Sequence, residues 1–249
     1  MGLYNCRAIV LRRFNLSETD KLVTLLTDRY GKVKVVAKAA RKIKSRFGAA
    51  LEPLSLIEMI YFGKENQNLY RLNQADIIRS FHPIREDYKK TFTGAYFLEL
   101  IDALIPDGHP ELGAFQLLCD TLAALECNDH IIILRRLFEI QLMAVLGYSP
   151  EFDHCLACKS VPAPGWIGFS YNRKGILCQP CTHRLQPGTR FNQGVLNYLK
   201  KMMALTPQNS GRLRLPKGLE DEIETVTHRL VLSHLGRELK SYPFIKSLA

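Results

Sequence analysis

The chain has 249 residues, with 34 Lys/Arg against 24 Asp/Glu and a formal net charge of +10. No apolar run approaches the roughly 18 residues a membrane span needs, and no signal peptide is read at the start. The Met-Gly beginning carries Cys6 where myristoylation wants Ser or Thr.

The charge is unevenly placed. Residues 1–81 hold 15 Lys/Arg against 7 Asp/Glu, while the remainder holds 19 against 17. Solubility alone does not require that asymmetry, so the N-terminal part reads as a polyanion binder. Its pattern is β-structure. Tyr4–Arg13 alternates, placing Cys6, Ala8 and Val10 on one face and Arg7, Ile9 and Leu11 on the other. Lys21–Thr27 reads as a second strand, Asp28-Arg-Tyr-Gly31 as a turn into a third, and Leu54–Phe62 and Leu69–Ile78 as two more. Five short strands with little helix predict a small closed or partly open barrel. Strand counting leaves both an OB-fold and an SH3-like barrel open.

From about residue 88 the period becomes helical. Phe97, Ile101, Leu104 and Ile105 share a stripe before Pro106-Asp-Gly-His-Pro110 breaks the chain. Further helices are predicted over roughly 111–127, 130–146, 193–205 and 219–241, with Gly147 and Pro150 ending the second of these. Their apolar stripes are core-facing. The fold class is α+β, divided as a barrel (1–81), a first helical part (82–150), a cysteine module (151–190) and a second helical part (191–249).

Cys155, Cys158, Cys178 and Cys181 form two Cys-x-x-Cys knuckles with 19 residues between them. Two residues between thiols let one tight turn present both sulfurs to a single ion, and a loop of about 15–20 residues can return to complete a tetrahedron. Pro162, Pro164, Gly165, Gly168 and Gly175 supply turn chemistry along the way. The expectation is one structural zinc on four thiolates. Two disulfides, or cysteines that merely pack, are the competing readings; the reducing cytoplasm expected for this chain favours metal. His154 and His183 beside the knuckles read as solvated or hydrogen-bonding groups. Cys6, Cys119 and Cys127 bring the total to seven and read as packed side chains.

Between Lys32 and Arg46 stand seven cations, Lys32, Lys34, Lys38, Arg41, Lys42, Lys44 and Arg46, and no acid. On a strand, Lys32, Lys34 and Lys38 project together while Val33, Val35 and Ala37 pack inward. Arg41–Arg46 then forms a loop or helical turn at the barrel rim. A merely solvated face normally interleaves acids, so this segment is the candidate DNA-binding site. Phe47, Tyr30 and Tyr61 are candidate stacking platforms, with barrel core as the alternative for each. Without a sequence-reading module, phosphate contact without base specificity is expected.

These residues together resemble the RecO family of bacterial recombination mediators. The resemblance lies in Asp-Arg-Tyr-Gly-Lys running into Ala-Lys-x-Ala-Arg-Lys-x-Lys-Ser-Arg (residues 28–46), in Leu-Gly-Tyr-x-Pro (146–150) before the first knuckle, and in the helical pattern of 98–126. It covers nearly the whole chain. Ala39 stands where that pattern leads one to expect glycine, which implies a less flexible loop. The resemblance implies an OB-fold barrel, a helical bundle and an embedded zinc module. It also implies binding of single- and double-stranded DNA, annealing of complementary strands, and loading of RecA recombinase onto strands coated by single-strand-binding protein. The implied partners are RecR and the C-terminal tail of single-strand-binding protein, in the cytoplasm of a bacterium. The four-cysteine site occurs in only some members of the family.

An adaptor without catalysis is therefore the leading expectation. A zinc deaminase wants a His-x-Glu pair upstream of its Cys-x-x-Cys, and a two-metal nuclease wants carboxylates clustered beside the cations; neither pattern is present. The other alternative is a transcription or translation protein that grips nucleic acid through the zinc module, using Lys159, Arg173, Lys174, Arg184 and Arg190.

Overall fold

The computed structural model describes residues 2–64, 67–185, 188–216 and 218–247. Its first five strands are β1 (Gly2–Asn15), β2 (Lys21–Thr27), β3 (Lys32–Ala37), β4 (Leu56–Gly63) and β5 (Tyr70–Arg79). They close into a barrel in the order β1-β2-β3-β5-β4, β4 pairing back onto β1. All pairings are antiparallel except β3 with β5. A five-stranded closed barrel with this order is an OB-fold, which removes the SH3-like alternative.

Period-two alternation supplies the barrel interior: Ala8, Val10, Leu25, Val35, Ile57 and Met59 are fully or nearly fully buried. Ile9 and Leu11 are also buried, because the strand's second face is covered as well. A register shift between Val10 and Arg12 bends β1 at that point.

The helices are α1 (His82–Glu86), α2 (Tyr88–Leu104), α3 (Leu112–Cys127), α4 (Ile131–Met143), α5 (Gln179–Leu185), α6 (Gln193–Ala204), α7 (Glu220–Leu235) and α8 (Tyr242–Lys246). Asp87 caps α2 by accepting from the Lys89 and Lys90 N–H groups, and Asn192 caps α6 through Val195 N–H. A π-turn, Ala144–Tyr148, follows α4, with Gly147 at φ 83° inside it. No helix is long and apolar enough to cross a membrane among the described residues.

Two compact units result, Met1–Cys127 with Leu239–Ala249, and Asn128–Glu238. This division cuts across the expected 82–150 and 191–249 segments. The physical reason for the second of these breaks lies at the end of α7. Gly236 adopts φ 68° and its N–H caps Leu232 O, so the helix stops well short of residue 241. The chain then returns to α2: the Glu99 carboxylate accepts from Lys240 N–H at 2.9 Å and from Ser241 N–H at 2.8 Å. Phe92 and Phe244 stack there at 5.7 Å.

In the second unit α4 packs against α6 and α7. Arg136, almost wholly buried, pairs with Glu139 at 2.9 Å and Glu224 at 2.8 Å, and Thr227 donates to Glu139. The cysteine module adds a three-stranded sheet that the sequence pattern does not announce, β6 (Trp166–Ser170), β7 (Gly175–Leu177) and β8 (Thr189–Asn192), in the order β7-β6-β8.

Candidate nucleic-acid interface and metal centre

The four knuckle cysteines converge. Their Sγ atoms all lie within 4.8 Å of one another, with Cys158 and Cys178 at 3.6 Å. A tetrahedron of 2.3 Å zinc–sulfur bonds has edges of about 3.8 Å. All seven cysteines are free thiols, which removes the disulfide reading. Local structure explains the convergence. In the first knuckle Lys159 N–H donates to Cys155 O and Cys155 N–H to Ser160 O, with Lys159 at φ 62°. Leu156 N–H donates to Ile176 O, fastening that knuckle to β7, which leads directly into Cys178. The second knuckle opens α5, where Thr182 N–H and Oγ1 both donate to Cys178 O. Cys155, Cys178 and Cys181 are buried and Cys158 is exposed. The Ser160 hydroxyl, 3.0 Å from the Cys158 sulfur, favours its thiolate and brings its pKa to about 6. Ser160 is a supporting residue the Cys-x-x-Cys pattern does not reveal.

Neither neighbouring histidine joins the cysteine group: His154 is exposed and His183 packs edge-on against Trp166 at 5.1 Å. The module's cations are partly engaged, Lys174 lying over the Tyr148 ring at 3.9 Å and Arg190 over Trp166 at 4.7 Å. Burial pushes the Cys6 and Cys119 thiols up to about 12, in keeping with packed, unreactive side chains.

The basic segment divides into two parts. Val33, Val35 and Ala37 point inward as expected. Lys32, however, is buried and not a free cation. Its ammonium donates to Asp102 O at 2.5 Å and lies 3.2 Å from Asp102 Oδ1 and 3.4 Å from Asp107 Oδ1. Lys34 donates to Asp107 Oδ2 at 2.5 Å. Lys32 and Lys34 do project to one side, both reaching Asp107, but as ion-paired groups; the expectation that they are free cations is corrected. The acids missing from the segment arrive from α2 and the loop after it.

Beyond β3, Lys38, Arg41, Lys42, Lys44 and Arg46 are exposed. The loop that carries them is a train of turns and not a floppy run. Lys42 N–H donates to Ala39 O, Ser45 N–H to Lys42 O, and Ala50 N–H to Phe47 O. Arg41 is tied twice to the β1–β2 loop, its N–H donating to Thr19 O and its guanidinium to Ser17 O. Asp20 accepts from Ala39 N–H, a bond that holds its carboxyl below the usual range, with Thr19 and the Lys38 charge adding to the effect. Ala39 sits at φ 57°, in the left-handed region glycine enters freely. Among the described residues, the Lys42 and Lys44 side chains make no ion pair or hydrogen bond, and between them Ile43 is fully exposed.

Two stacking candidates change role. Phe47 is buried in the barrel core, with the Arg46 guanidinium 4.9 Å from its ring centroid, so it anchors the loop and offers no face to a base. Tyr61 is 1% exposed and forms part of the barrel end with Tyr4, Tyr30 and Tyr70. Tyr30 remains partly exposed. Tyr4 and Tyr70, which join it, carry no local signal, because only barrel closure brings the ends of β1 and β5 beside the β2–β3 turn.

Comparison with known proteins agrees with this architecture. A family model described as Recombination protein O N terminal matches residues 1–81, and another, Recombination protein O C terminal, matches residues 85–243. DNA repair protein RecO of Symbiobacterium thermophilum is 33% identical over 251 residues, covering 100% of this chain and 98% of its own. DNA repair protein RecO of Thermodesulfovibrio yellowstonii is 32% identical over 242 residues, 94% of each chain. With a barrel and a helical, four-cysteine region each matched across its length, the chain belongs to the RecO family of DNA repair proteins.

Proposed function

We propose that this chain is a non-enzymatic recombination mediator that binds single- and double-stranded DNA through phosphate contacts at Lys38, Arg41, Lys42, Lys44 and Arg46. The observation that carries this reading is the exposed, acid-free loop held rigidly on an OB barrel. Lys32 and Lys34 contribute mainly by fixing the barrel to the α2–α3 connection, their charges being offset by Asp102 and Asp107. Phosphate contact releases counterions and leaves base edges free, so two complementary strands screened by the same cations can pair. That is the physical basis for strand annealing without a nucleotide cofactor, and the chain has no phosphate-binding Gly-Lys-[Ser/Thr] loop.

Zinc held by Cys155, Cys158, Cys178 and Cys181 is the metal this donor set fits, four soft thiolates in a tetrahedron. Four protein ligands leave no open position, so the ion's part is structural. RecR and the acidic tail of single-strand-binding protein are the partners that family membership points to, with recombinase loading onto coated strands as the cellular outcome. A cytoplasmic location follows from the same reading.

The test is the salt dependence of binding by the full chain. Replacing Arg41, Lys42 and Lys44 with Ala should weaken binding to all sequences and flatten the log–log salt slope by about two units, at 0.7–0.9 per lost phosphate contact. The same variant should fail to anneal complementary oligonucleotides at low salt. An unchanged slope would show that the loop is only solvated.

A further inference from the structure

We propose that the cleft at the barrel end lined by Tyr4, Tyr30, Tyr61 and Tyr70 binds one unpaired nucleotide of a single strand, its base against the tyrosine rings and its phosphate on Arg29. This inference rests on the DNA-binding reading above and adds a base-dependent site to a phosphate-dependent one.

The four rings form one cluster. Tyr4 and Tyr61 stack at 4.9 Å with 14° between planes. Tyr30 and Tyr70 stand edge-on to Tyr4, at 5.2 and 5.7 Å, and to Tyr61, at 6.2 and 5.1 Å. They border a cleft of about 530 Å³, within the size range of small-molecule sites. A plug that merely closed the barrel would be served by phenylalanine. Here the Tyr4, Tyr30 and Tyr61 hydroxyls hydrogen-bond to no described residue, and none of them is a buried atom, so they stand open to a ligand in the cleft. A nucleobase edge offers such hydroxyls both donors and acceptors.

The cleft is also built to be cationic and rigid. Its one acid among the described residues, Asp107, is neutralised by Lys34 and Lys32. Arg29 at the mouth is exposed and makes no hydrogen bond or ion pair among the described residues. The opposite wall, Gly108 to Pro110, is pinned by Gly108 N–H donating to Lys32 O at 2.9 Å. It lies so close to Gly31 that a Cβ there would fall 2.1 Å from His109 O.

Location fits the chemistry. The cleft runs from Tyr30 along β3 to Lys34, beside the Val35–Tyr70 pairing, and Lys38 follows the strand, so cleft and basic loop are about four residues, roughly 13 Å, apart. A single strand a few nucleotides long bridges that distance, within the 4–16 nucleotides typical of one OB barrel. A base still paired in a duplex cannot enter the cleft. The basic loop would then serve both forms of DNA, and the cleft would tell them apart.

The experiment uses the full chain and two fluorescent probes of equal length and charge, an oligothymidylate and its abasic counterpart. Wild type should bind the oligothymidylate at least about fivefold more tightly, the low end of one base–aromatic stack. Tyr30→Leu and Tyr4→Leu should erase that ratio, whereas the Arg41/Lys42/Lys44 alanine variant should weaken both probes and keep it. Equal binding of the two probes by wild type would overturn the cleft proposal while leaving phosphate binding intact; failure to bind either would overturn both. Because the leucine variants could lose the barrel end, wild type is also photocrosslinked to an oligomer carrying 5-iodouracil. Adducts on Tyr4, Tyr30 or Tyr70 support the site, and adducts confined to other peptides, or none, overturn it.

Discussion

The Lys32 ammonium donates to the Asp102 backbone oxygen, 70 residues further along the chain, and lies 3.2 Å from the Asp102 carboxylate. The cation that opens the basic run is thereby committed to holding the barrel against α2. Lys42, ten positions on, has no such commitment among the described residues.

The two lysines should therefore part company on mutation. Lys32→Ala takes one of two cations from Asp102, the Arg12 guanidinium staying 3.0 Å from its carboxylate, and should cost about 1–2 kcal/mol, lowering the melting temperature by about 2–8 °C. Lys42→Ala should leave the melting temperature within about 1–2 °C and weaken DNA binding. Thermal denaturation and anisotropy on both variants check this. A Lys32→Ala protein as stable as wild type would contradict the assigned role.

Asp107 makes the same junction sensitive to acid. Burial tends to raise its pKa, but the hydrogen bond and charge of Lys34, with Lys32 adding, hold the carboxyl below its ordinary value. The folded-state pKa is depressed, so the contribution is fully present above the unfolded value near 3.9 and is lost as pH falls through the folded one. Wild type should lose stability more steeply than Asp107→Asn between pH 5 and pH 3, as followed by melting temperature. Parallel curves would exclude the linkage.

Backbone geometry predicts opposite outcomes at two small residues flanking β3. Gly31→Ala should destabilise by at least about 1 kcal/mol, since φ is +68° and the new Cβ would meet the His109 backbone. Ala39→Gly should be neutral or stabilising, by up to about 1 kcal/mol, because it relieves a left-handed alanine at φ 57°. The gain is limited by the extra freedom glycine has when unfolded. Denaturant midpoints measure both.

Metal should be needed for one region only. Cys178→Ser removes a ligand beside the β7 strand and should loosen residues 150–190, since ligation and local folding are coupled. Hydrogen exchange should rise there and stay unchanged in β1–β5, with DNA affinity retained. Elemental analysis should find one zinc per wild-type chain, and none would refute the site.

Much of this was legible before folding. The Cys-x-x-Cys pairs specify metal chemistry because two-residue spacing imposes the knuckle turn by itself, and the four sulfurs do meet. Period-two alternation located β1 and β3, short apolar runs located the other three barrel strands, and Asp-Arg-Tyr-Gly31 marked the β2–β3 turn, because these signals depend on neighbours within a few residues. What tertiary structure alone decided is partnership at a distance. The acid-free run acquires acids from Asp102 and Asp107, Phe47 turns inward to anchor its loop, and four tyrosines from three strands and a turn become one surface. The end of the last long helix is a smaller case, where Gly236 enters the left-handed region and Glu99 then captures the returning chain. Charge and aromatic character are written locally, but whether a side chain is free to meet a ligand depends on what the closed barrel brings beside it.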